Sequence, residues 1–482
     1  MLTTLLLTPI LGAVILVPIN DETKTGRVQV KQVALIITIM AFAQSIVIWS
    51  IFDASTPEYQ FVQSYTTLGF CHFHVGIDGL SLYYVVLTAL LMPICLLASW
   101  KNIQYRLKIY FVALLVVETL LFTVFTTLDL LLFYVFFEAA LVPLFLIVGI
   151  WGGSSTRVRA ALLLFLYTLT GSLFMLLSIV VIADHVGTTD FTLITLTDFT
   201  SQGQRLLWLG FFVAFAVKTP LVPFHMWLPR AHAEAPLAGS ILLAGVVLKL
   251  SSYGILRILL TILPDATHYF TPLVQTIAIV TLIYSSLATI RQVDFKALVA
   301  YSSIAHMAVV MLGIFSNTLI GIEGGYVLSL AHGLVSPALF MLVGGVLYDR
   351  FHTRVVQYYR GLVVYMPIFA CLFFIAACAN IAVPLSLNWA SEFMALAGAF
   401  QRSFFVGVLG ASGIILSACY TIWLWSRMVG GTWSPYITYT VDVTRREFMV
   451  LIPLLVLTIV LGIVPAVILG DIHVVVTSLL YT

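Results

Sequence analysis

Eight ionisable side chains within the apolar stretches of this 482-residue sequence are candidates for a functional role, and Arg257 is a further basic residue inside a predicted span. Placing such a group near the centre of a bilayer costs at least about 2.5 kcal/mol, so each one needs a partner or a function. Acids and bases are mixed, which predicts either a proton relay or a set of buried ion pairs. In chain order the eight are Glu118, Glu138, Lys218, His225, Lys249, His306, His332 and Glu392.

Lys218 and His225 stand in a stretch that also contains four prolines, VKTPLVPFHMWLPRAHAEAPLAGS (217–240). Pro220 and Pro223 each remove an amide that a helix needs, so the helix carrying Lys218 must unwind or kink just past the lysine. Broken backbone at membrane depth is tolerated only where protein or a wet cavity satisfies its polar groups. The stretch therefore predicts a polar interior around Lys218.

The composition sets the class of protein that must position these groups. Hydrophobic residues make up 61% of the chain, charged residues 9%, and the mean hydropathy is +1.11. These values predict an all-α polytopic membrane protein, because helices satisfy every backbone amide internally. Turn residues and charge clusters divide the chain into about 14 transmembrane helices, near 2–19, 31–52, 80–100, 109–128, 130–150, 160–183, 206–227, 236–260, 272–290, 297–315, 322–348, 366–401, 404–426 and 448–470.

The basic residues support this division. Alternate loops, beginning with the first, hold 17 of the 22 lysines and arginines, and the other loops hold only Arg205 and Arg402. A single miscounted helix would scramble that alternation. Both termini are therefore predicted to face away from the basic loops, and Met1 leads into an apolar stretch without a charged leader, so we expect the first span to be retained.

Spans 7 and 12 share an interruption. Span 12 (366–401) is too long to cross the bilayer as one straight helix, and Pro384 marks its break, just ahead of Glu392. The two spans are five apart and run in opposite directions, which predicts two inverted five-helix repeats, spans 4–8 and 9–13. The expected organisation is one membrane domain over 1–482, with three N-terminal spans (1–108), a first repeat (109–260), an inverted second repeat (272–426) and a last span (448–470).

Four stretches closely resemble the antiporter-like membrane-arm subunits of the proton-pumping NADH:ubiquinone oxidoreductases (respiratory complex I). That family is related to subunits of Mrp-type cation/proton antiporters, and the likeness covers nearly the whole chain. The stretches are FYVFFEAALVPLFLIVGIWG (133–152), FAVKTPLVPFHMWLPRAHAEAPLAGSILLAGVVLKLSSYGILR (215–257), RQVDFKALVAYSSIAHM (291–307) and LAHGLVSPALF (330–340).

The resemblance implies a role for each matched residue. Glu138 and Lys218 correspond to the family's glutamate–lysine pair, Lys249 to its central lysine and Glu392 to the residue near the exit. His225, His306 and His332 match family histidines on the polar axis, as relay or water-wire partners. Glu118 rests on its depth in span 4 alone, with a structural ion pair as the alternative. Around PLSLNWASEFM (384–394) the chain departs from relatives that carry a glycine-bearing run.

The resemblance also implies the setting. Proton translocation would be driven by remote NADH-to-quinone electron transfer, with no redox centre, cofactor or metal in this chain, and with NADH, FMN, iron–sulfur clusters and ubiquinone bound by other subunits. The partners implied are the other complex I subunits, especially the two antiporter-like subunits on either side, accessory subunits and lipids such as cardiolipin, but no nucleic acid. The motifs resemble mitochondrial members, which implies the inner membrane, basic loops in the matrix and termini in the intermembrane space.

Two other functions remain open: a sodium/proton antiporter subunit of the Mrp type and a structural spacer that moves no protons. Several residues are also assigned to ordinary roles. We expect His232 and Glu234 to be solvated near the basic loops and Asp294 and Lys296 to be surface charges. The small residues Gly239, Ser240, Ala244 and Gly245 predict close helix packing.

Overall fold

The chain folds into a helical bundle in the computed structural model, which describes residues 1–68, 71–432, 434–437 and 441–481. Within those ranges, eleven helices are long and apolar enough to cross a membrane. The helices are α1 (Leu2–Leu16), α2 (Lys24–Ile51), α3 (Gly79–Ala98), α4 (Leu107–Thr126), α5 (Leu130–Trp151), α6 (Arg157–Val186), α7 (Ser201–Lys218), α8 (Trp227–Glu234), α9 (Leu237–Leu260), α10 (Pro264–Ile290), α11 (Phe295–Ile314), α12 (Leu319–Phe351), α13 (Pro367–Asn380), α14 (Leu387–Arg402), α15 (Phe404–Val429), α16 (Arg445–Ile463) and α17 (Ala466–Tyr481).

The expectation of a purely helical chain is wrong between α2 and α3. Two antiparallel strands, β1 (Gln60–Leu68) and β2 (Cys71–Ile77), form a hairpin there. β1 is rich in aromatic and β-branched residues, which favour strands, although they do not alternate strictly with polar ones. Gln63 lies opposite Val75 in the ladder, and its side-chain oxygen accepts a hydrogen bond from the amide of Thr3.

Both predicted interruptions are present. α7 ends at Lys218, and a short 3-10 turn at Phe224–Met226 leads into α8. The helix α13 ends at Asn380, and α14 begins at Leu387. Each broken segment therefore crosses the bundle as two helices joined by irregular backbone.

The single last span predicted at 448–470 is wrong, because the chain forms two helices, α16 and α17. Pro465 ends α16, since a residue before proline is disfavoured in the helical conformation. Asp471 in α17 accepts hydrogen bonds from Tyr83 (2.7 Å) and Trp49 (3.2 Å). α17 thus packs near the start of α3 and is not a continuation of the membrane-crossing helix.

The predicted alternation of the loops appears as contacts between loops of the same set. We call the two ends of the bundle the basic end and the acidic end, after the charges that dominate their loops. Contacts at the basic end join Lys108 to Ile19, Asn102 to Asp349, Glu234 to Arg354 and Arg350 to Glu447. Contacts at the acidic end join His74 to Asp190, Thr189 to Asp129, Tyr59 to Arg257 and Gln204 to Asp265.

The centre of the bundle is formed by α9, α11 and α12, which are almost wholly buried. α2, α15 and α16 have only a third of their most apolar stretch buried and leave the rest partly or fully exposed, as helices facing lipid do. Glycines allow the central helices to approach closely. A Cβ atom at Gly245 would meet side-chain atoms of Leu91 and Pro337, which confirms the close packing expected there.

One of these contacts joins α12 to α14 and yields a prediction. A Cβ atom at Gly324 would collide with the backbone of Met394 and Ala395. We expect Gly324→Ala to destabilise the protein by about 1–3 kcal/mol, because backbone must shift to admit the methyl group. The measurement is the thermal unfolding temperature of the detergent-solubilised complex, together with its abundance on native gels.

Gly470→Ala is the matched control, since no heavy atom lies within 4 Å of a Cβ placed at Gly470 in α17. Equal stability of the Gly324→Ala and Gly470→Ala complexes would contradict the close α12–α14 contact.

Candidate proton-relay site

The break after α7 places Lys218 inside the bundle. The amide of Leu221 donates to the carbonyl of Ala216 (2.9 Å), and the indole of Trp227 donates to the carbonyl of Val217 (2.9 Å). These bonds satisfy carbonyls that the prolines leave without helical donors. The break is therefore a closed, hydrogen-bonded structure that holds the end of α7 in place.

Lys218 is 1% exposed, and its ammonium has no hydrogen-bond partner among the described residues. The Nζ atom lies 4.7 Å from the centre of the Phe137 ring. The charge that acts on Lys218 is that of Glu138, on α5, as the family resemblance implies. The two side chains form no direct ion pair within the described part of the chain, and Ser172 is within hydrogen-bonding reach of Glu138.

Lys249 occupies the middle of α9, between two π-helical segments, Leu243–Val247 and Ile255–Leu260. Such wide turns are frequent at functional sites. The ammonium donates to the carbonyl of Ala244, five residues back (2.5 Å), and lies 2.8 Å from Nδ1 of His332. Lys249 is fully buried, so the π-helical turn supplies a polar contact that an apolar core lacks.

His332 begins a row that crosses the bundle. Its ring centre lies 5.9 Å from that of His306, on α11, and Nδ1 of His306 lies 2.8 Å from the carboxylate of Glu392. All three side chains are at most 3% exposed. Lys249, His332, His306 and Glu392 therefore form one row that joins α9, α12, α11 and α14.

The second break positions the far end of that row. Ser386 caps α14 by accepting a hydrogen bond from the amide of Trp389 (3.3 Å). Ala382 and Leu385 in the break adopt positive φ angles of 64° and 77°, the left-handed region that favours glycine. The break is thus built without glycine at these two positions, and Glu392 lies on the buried face of α14.

Besides Lys218 and Glu138, two more of the predicted residues, His225 and Glu118, lie outside the row. His225 packs against the rings of Tyr284 (5.4 Å) and Tyr301 (6.2 Å). Glu118 is fully buried, and its carboxylate forms neither an ion pair nor a hydrogen bond within the described ranges. The structural ion pair considered for Glu118 is therefore not observed.

The residues predicted to be solvated at the basic end are largely buried, so those expectations are wrong. His232 is fully buried and stacks on the Phe340 ring at 4.5 Å, and Glu234 is 8% exposed. Lys296 is 3% exposed, with its Nζ atom 4.9 Å from the ring centre of Tyr348. Polar side chains near the helix ends point into the protein here, and the hydrophobicity of the sequence does not reveal that orientation.

Arg354 organises this cluster by pairing with Glu234 and with Asp294, each at 3.3 Å. Asp294 also caps α11 by accepting a hydrogen bond from the amide of Lys296 (2.8 Å). Burial raises the pKa of Asp294 above its usual range. The sequence signal for this local structure is Asp294 itself, because an aspartate directly before an apolar helix favours an N-cap.

The geometry sorts the predicted residues by contact. Lys249, His332, His306 and Glu392 are brought together, whereas Lys218 and Glu138 form a separate pair that no hydrogen bond among the described residues connects to Lys249. Lysine, histidine and carboxylate each accept and release protons. Fold and site together define a polytopic helical membrane protein with ionisable groups aligned through its interior.

Comparisons with known proteins agree with this class. A family profile described as NADH:quinone oxidoreductase/Mrp antiporter, TM, matches residues 127–417. The chain is 60% identical to NADH-ubiquinone oxidoreductase chain 4 of Mycosarcoma maydis, over the full length of both chains. It is 46% identical to the protein of the same name from Arabidopsis thaliana, over 99% of this chain and 96% of the relative.

Among solved structures, a chain of respiratory complex I from Thermus thermophilus with bound NADH superimposes with a TM-score of 0.90 at 27% identity, over 100% of this chain and 99% of that one. A chain of the Mrp complex from Dietzia sp. DQ12-45-1b has the same fold, with a TM-score of 0.88 at 20% identity, over 99% and 97% of the two chains. The chain belongs to the NADH:quinone oxidoreductase/Mrp antiporter family of membrane subunits.

The cluster at the basic end provides a test. We expect Arg354→Gln to lower the stability of the protein by about 1–3 kcal/mol, because Glu234 and Asp294 lose their shared cation. The deficit should be smaller at pH 5 than at pH 8, since the raised pKa of Asp294 makes its carboxylate easier to protonate as the pH falls, and a protonated Asp294 no longer needs the cation. Thermal unfolding of the solubilised complex at both pH values measures this.

Arg360→Gln, at an exposed position in the same loop, is the control. An Arg354→Gln complex that unfolds at the control's temperature at pH 8 would contradict the role of Arg354.

Proposed function

We propose that this chain is a proton-translocating subunit in the membrane arm of a mitochondrial NADH:ubiquinone oxidoreductase. The observation that carries the proposal is the buried row from Lys249 through His332 and His306 to Glu392. Relatives that match the full chain bear the name NADH-ubiquinone oxidoreductase chain 4. Buried ionisable groups in membrane helices mark ion pathways by default.

In the proposed sequence of steps, protons are taken up at the basic end near the broken α7 and reach Lys218, whose charge Glu138 modulates. They then cross by water to Lys249. Histidine titrates near neutrality, so His332 and His306 suit the next transfers. Glu392 releases the proton toward the acidic end, and His225 serves as a water-wire partner near the uptake side.

The energy for this transport comes from outside the chain. Moving one charge against 100 mV requires about 2.3 kcal/mol. NADH oxidation and quinone reduction in other subunits supply it, and NADH, FMN, iron–sulfur clusters and ubiquinone are bound there. Conformational and electrostatic coupling must therefore reach this chain through the two antiporter-like subunits that we place on either side of it.

The proposed topology completes this function. We assign fourteen spans, with repeats over spans 4–8 and 9–13, because the broken pairs α7–α8 and α13–α14 lie five spans apart and run in opposite directions. The basic end faces the matrix, in keeping with the positive-inside rule, and both termini face the intermembrane space. Accessory subunits and anionic lipids such as cardiolipin cover the exposed outer helices.

The relay is tested by Lys249→Ala in the assembled complex, reconstituted into vesicles. We expect proton transfer through this chain to fall about 100-fold or more, the usual effect of losing a proton-transfer group. The number of protons moved per NADH should then fall by the share that this chain contributes. The measurement pairs NADH oxidation with vesicle acidification. Lys101→Ala, at an exposed position of the basic end, is the control.

Normal proton movement per NADH in an assembled Lys249→Ala complex would refute the relay and leave the structural spacer. Sodium-dependent transport without NADH would instead establish the antiporter alternative.

The order of the two lysines makes a separate prediction. Lys218 and Lys249 share no hydrogen-bonded connection within the described residues. The proposal nevertheless places them one after the other on a single path, joined by water. We therefore expect the double variant Lys218→Ala/Lys249→Ala to move as many protons per NADH as the single variant that moves fewer. Once one step of a serial path is lost, losing a second step causes no further decrease. Proton-to-NADH ratios of the three variants measure this. Additive losses would show two parallel paths.

A further inference from the structure

Arg257 is a buried cation that the proposed relay does not use. It lies on α9, eight residues beyond Lys249 toward the acidic end, and is 5% exposed. At about 1.5 Å per residue this places it roughly 12 Å further along the helix. Its guanidinium pairs with the carboxylate of Asp78 at 2.6 Å. Asp78 is fixed in turn, since it also accepts a hydrogen bond from the amide of Ser81 at the start of α3 (3.0 Å).

A cavity of about 490 Å³ opens from the acidic end and stops at this ion pair. Its polar lining includes Glu58, Tyr59, Asp78, Asp198, Gln204 and Arg257. Burial raises the pKa of Tyr59 to about 12, so its phenol stays protonated at neutral pH. The cavity therefore brings polar groups to roughly 12 Å, a little over two helical turns, from the central lysine.

Hydroxyl groups continue from the ion pair toward Lys249. Tyr253 lies next to Arg257, and the ring of Tyr84 packs edge-on against that of Tyr253, 6.0 Å away. The hydroxyl of Tyr84 contacts Ser252 (3.2 Å) and Ser329 (2.7 Å). Ser252 donates to the backbone carbonyl of Lys249, not to its ammonium. A polar route with one gap thus lies between the relay and the acidic-end cavity and does not pass through Glu392. The gap is the step from Tyr253 to Tyr84, which are joined by a ring contact but by no hydrogen bond among the described residues, so water must bridge it.

The hydrogen bonds of Arg257 interrupt that route. Its Nε atom donates to the hydroxyl of Tyr253 (3.4 Å), and Nη1 donates to the hydroxyl of Tyr59 (3.0 Å). A guanidinium only donates and does not release its proton in proteins. The direction of hydrogen bonding therefore reverses at Arg257, whereas proton hopping needs a chain of donors and acceptors that all point the same way. Tyr253 itself donates to the carbonyl of Phe125 (3.1 Å), away from the route.

We propose that Arg257, held by Asp78, insulates the relay from the acidic-end cavity, so that a proton on Lys249 leaves only by way of His332, His306 and Glu392. This inference rests on the proposed function. Arg257 is a positioning residue. It does not transfer a proton itself, and it blocks the route from Lys249 to the acidic-end cavity. Without it, protons would return from the acidic end to Lys249 and dissipate the gradient.

The test uses the assembled complex in vesicles and two substitutions, Arg257→Gln and Arg257→Lys. We expect both to raise passive proton conductance, measured as decay of an imposed pH gradient without NADH, at least about two-fold. The lysine variant is decisive, because it retains the ion pair with Asp78 but introduces a group that can exchange its proton. Arg205→Gln, an exposed arginine of the acidic end, should leave the conductance unchanged.

Adding Lys249→Ala to Arg257→Lys should return the conductance to the native level, because the leak runs through Lys249. An assembled Arg257→Lys complex as tight as the native one would overturn the proposal, since a merely structural cation is replaced by lysine. Loss of pumping without extra conductance would also overturn it, by showing that the cavity is an exit. A leaky Arg257→Lys complex alongside a normally pumping Lys249→Ala complex would refute the relay separately.

Discussion

The cost of burying charge in an apolar bundle governs the arrangement of this protein. Lys249 and Lys218 sit where the backbone departs from regular α-helix: a π-helical turn surrounds one, and a chain break follows the other. Regular helices consume their own carbonyls, so a buried cation within one finds no acceptor. At Lys249 the π-helical turn supplies the carbonyl of Ala244 as an acceptor. At Lys218 the carbonyls freed by the break are taken by the amide of Leu221 and the indole of Trp227, and the ammonium has no hydrogen-bond partner among the described residues. Irregular backbone thus satisfies the central lysine directly and leaves Lys218 dependent on the nearby charge of Glu138.

The same constraint explains how the two ends of the bundle differ. At the basic end, Arg354 ties Glu234 and Asp294 together, so several loops are joined through one cation. At the acidic end, Arg257 and Asp78 form a deeper, more isolated pair. Both clusters are neutralised locally, but only the second stands beside hydroxyls that approach the central lysine. Charge pairing therefore serves cohesion at one end and, in our proposal, insulation at the other.

Sequence reasoning identified the broken helices because proline chemistry is local: Pro220 and Pro384 act on their own neighbours. It also identified the ionisable residues, since depth in an apolar run is visible in one dimension. The contacts between them were not predictable, because Lys249 meets His332 across 83 positions of chain and the rotation of each helix decides which side chains face inward. Lys296 and His232 were misassigned for the same reason. The split between α16 and α17 was missed because Pro465 lies within an unbroken apolar run, where composition does not mark a change of direction.

The position of α17 has a consequence for biosynthesis. Trp49 and Tyr83 find their carboxylate, Asp471, only in residues that the ribosome adds 422 and 388 positions later. The side chain of Glu323 likewise meets His473 there, at 2.7 Å. The bundle cannot complete these bonds until Asp471 and His473 have been synthesised. A chain that ended at Pro465 would retain every long apolar helix found among the described residues, yet Trp49, Tyr83 and Glu323 would lack these partners.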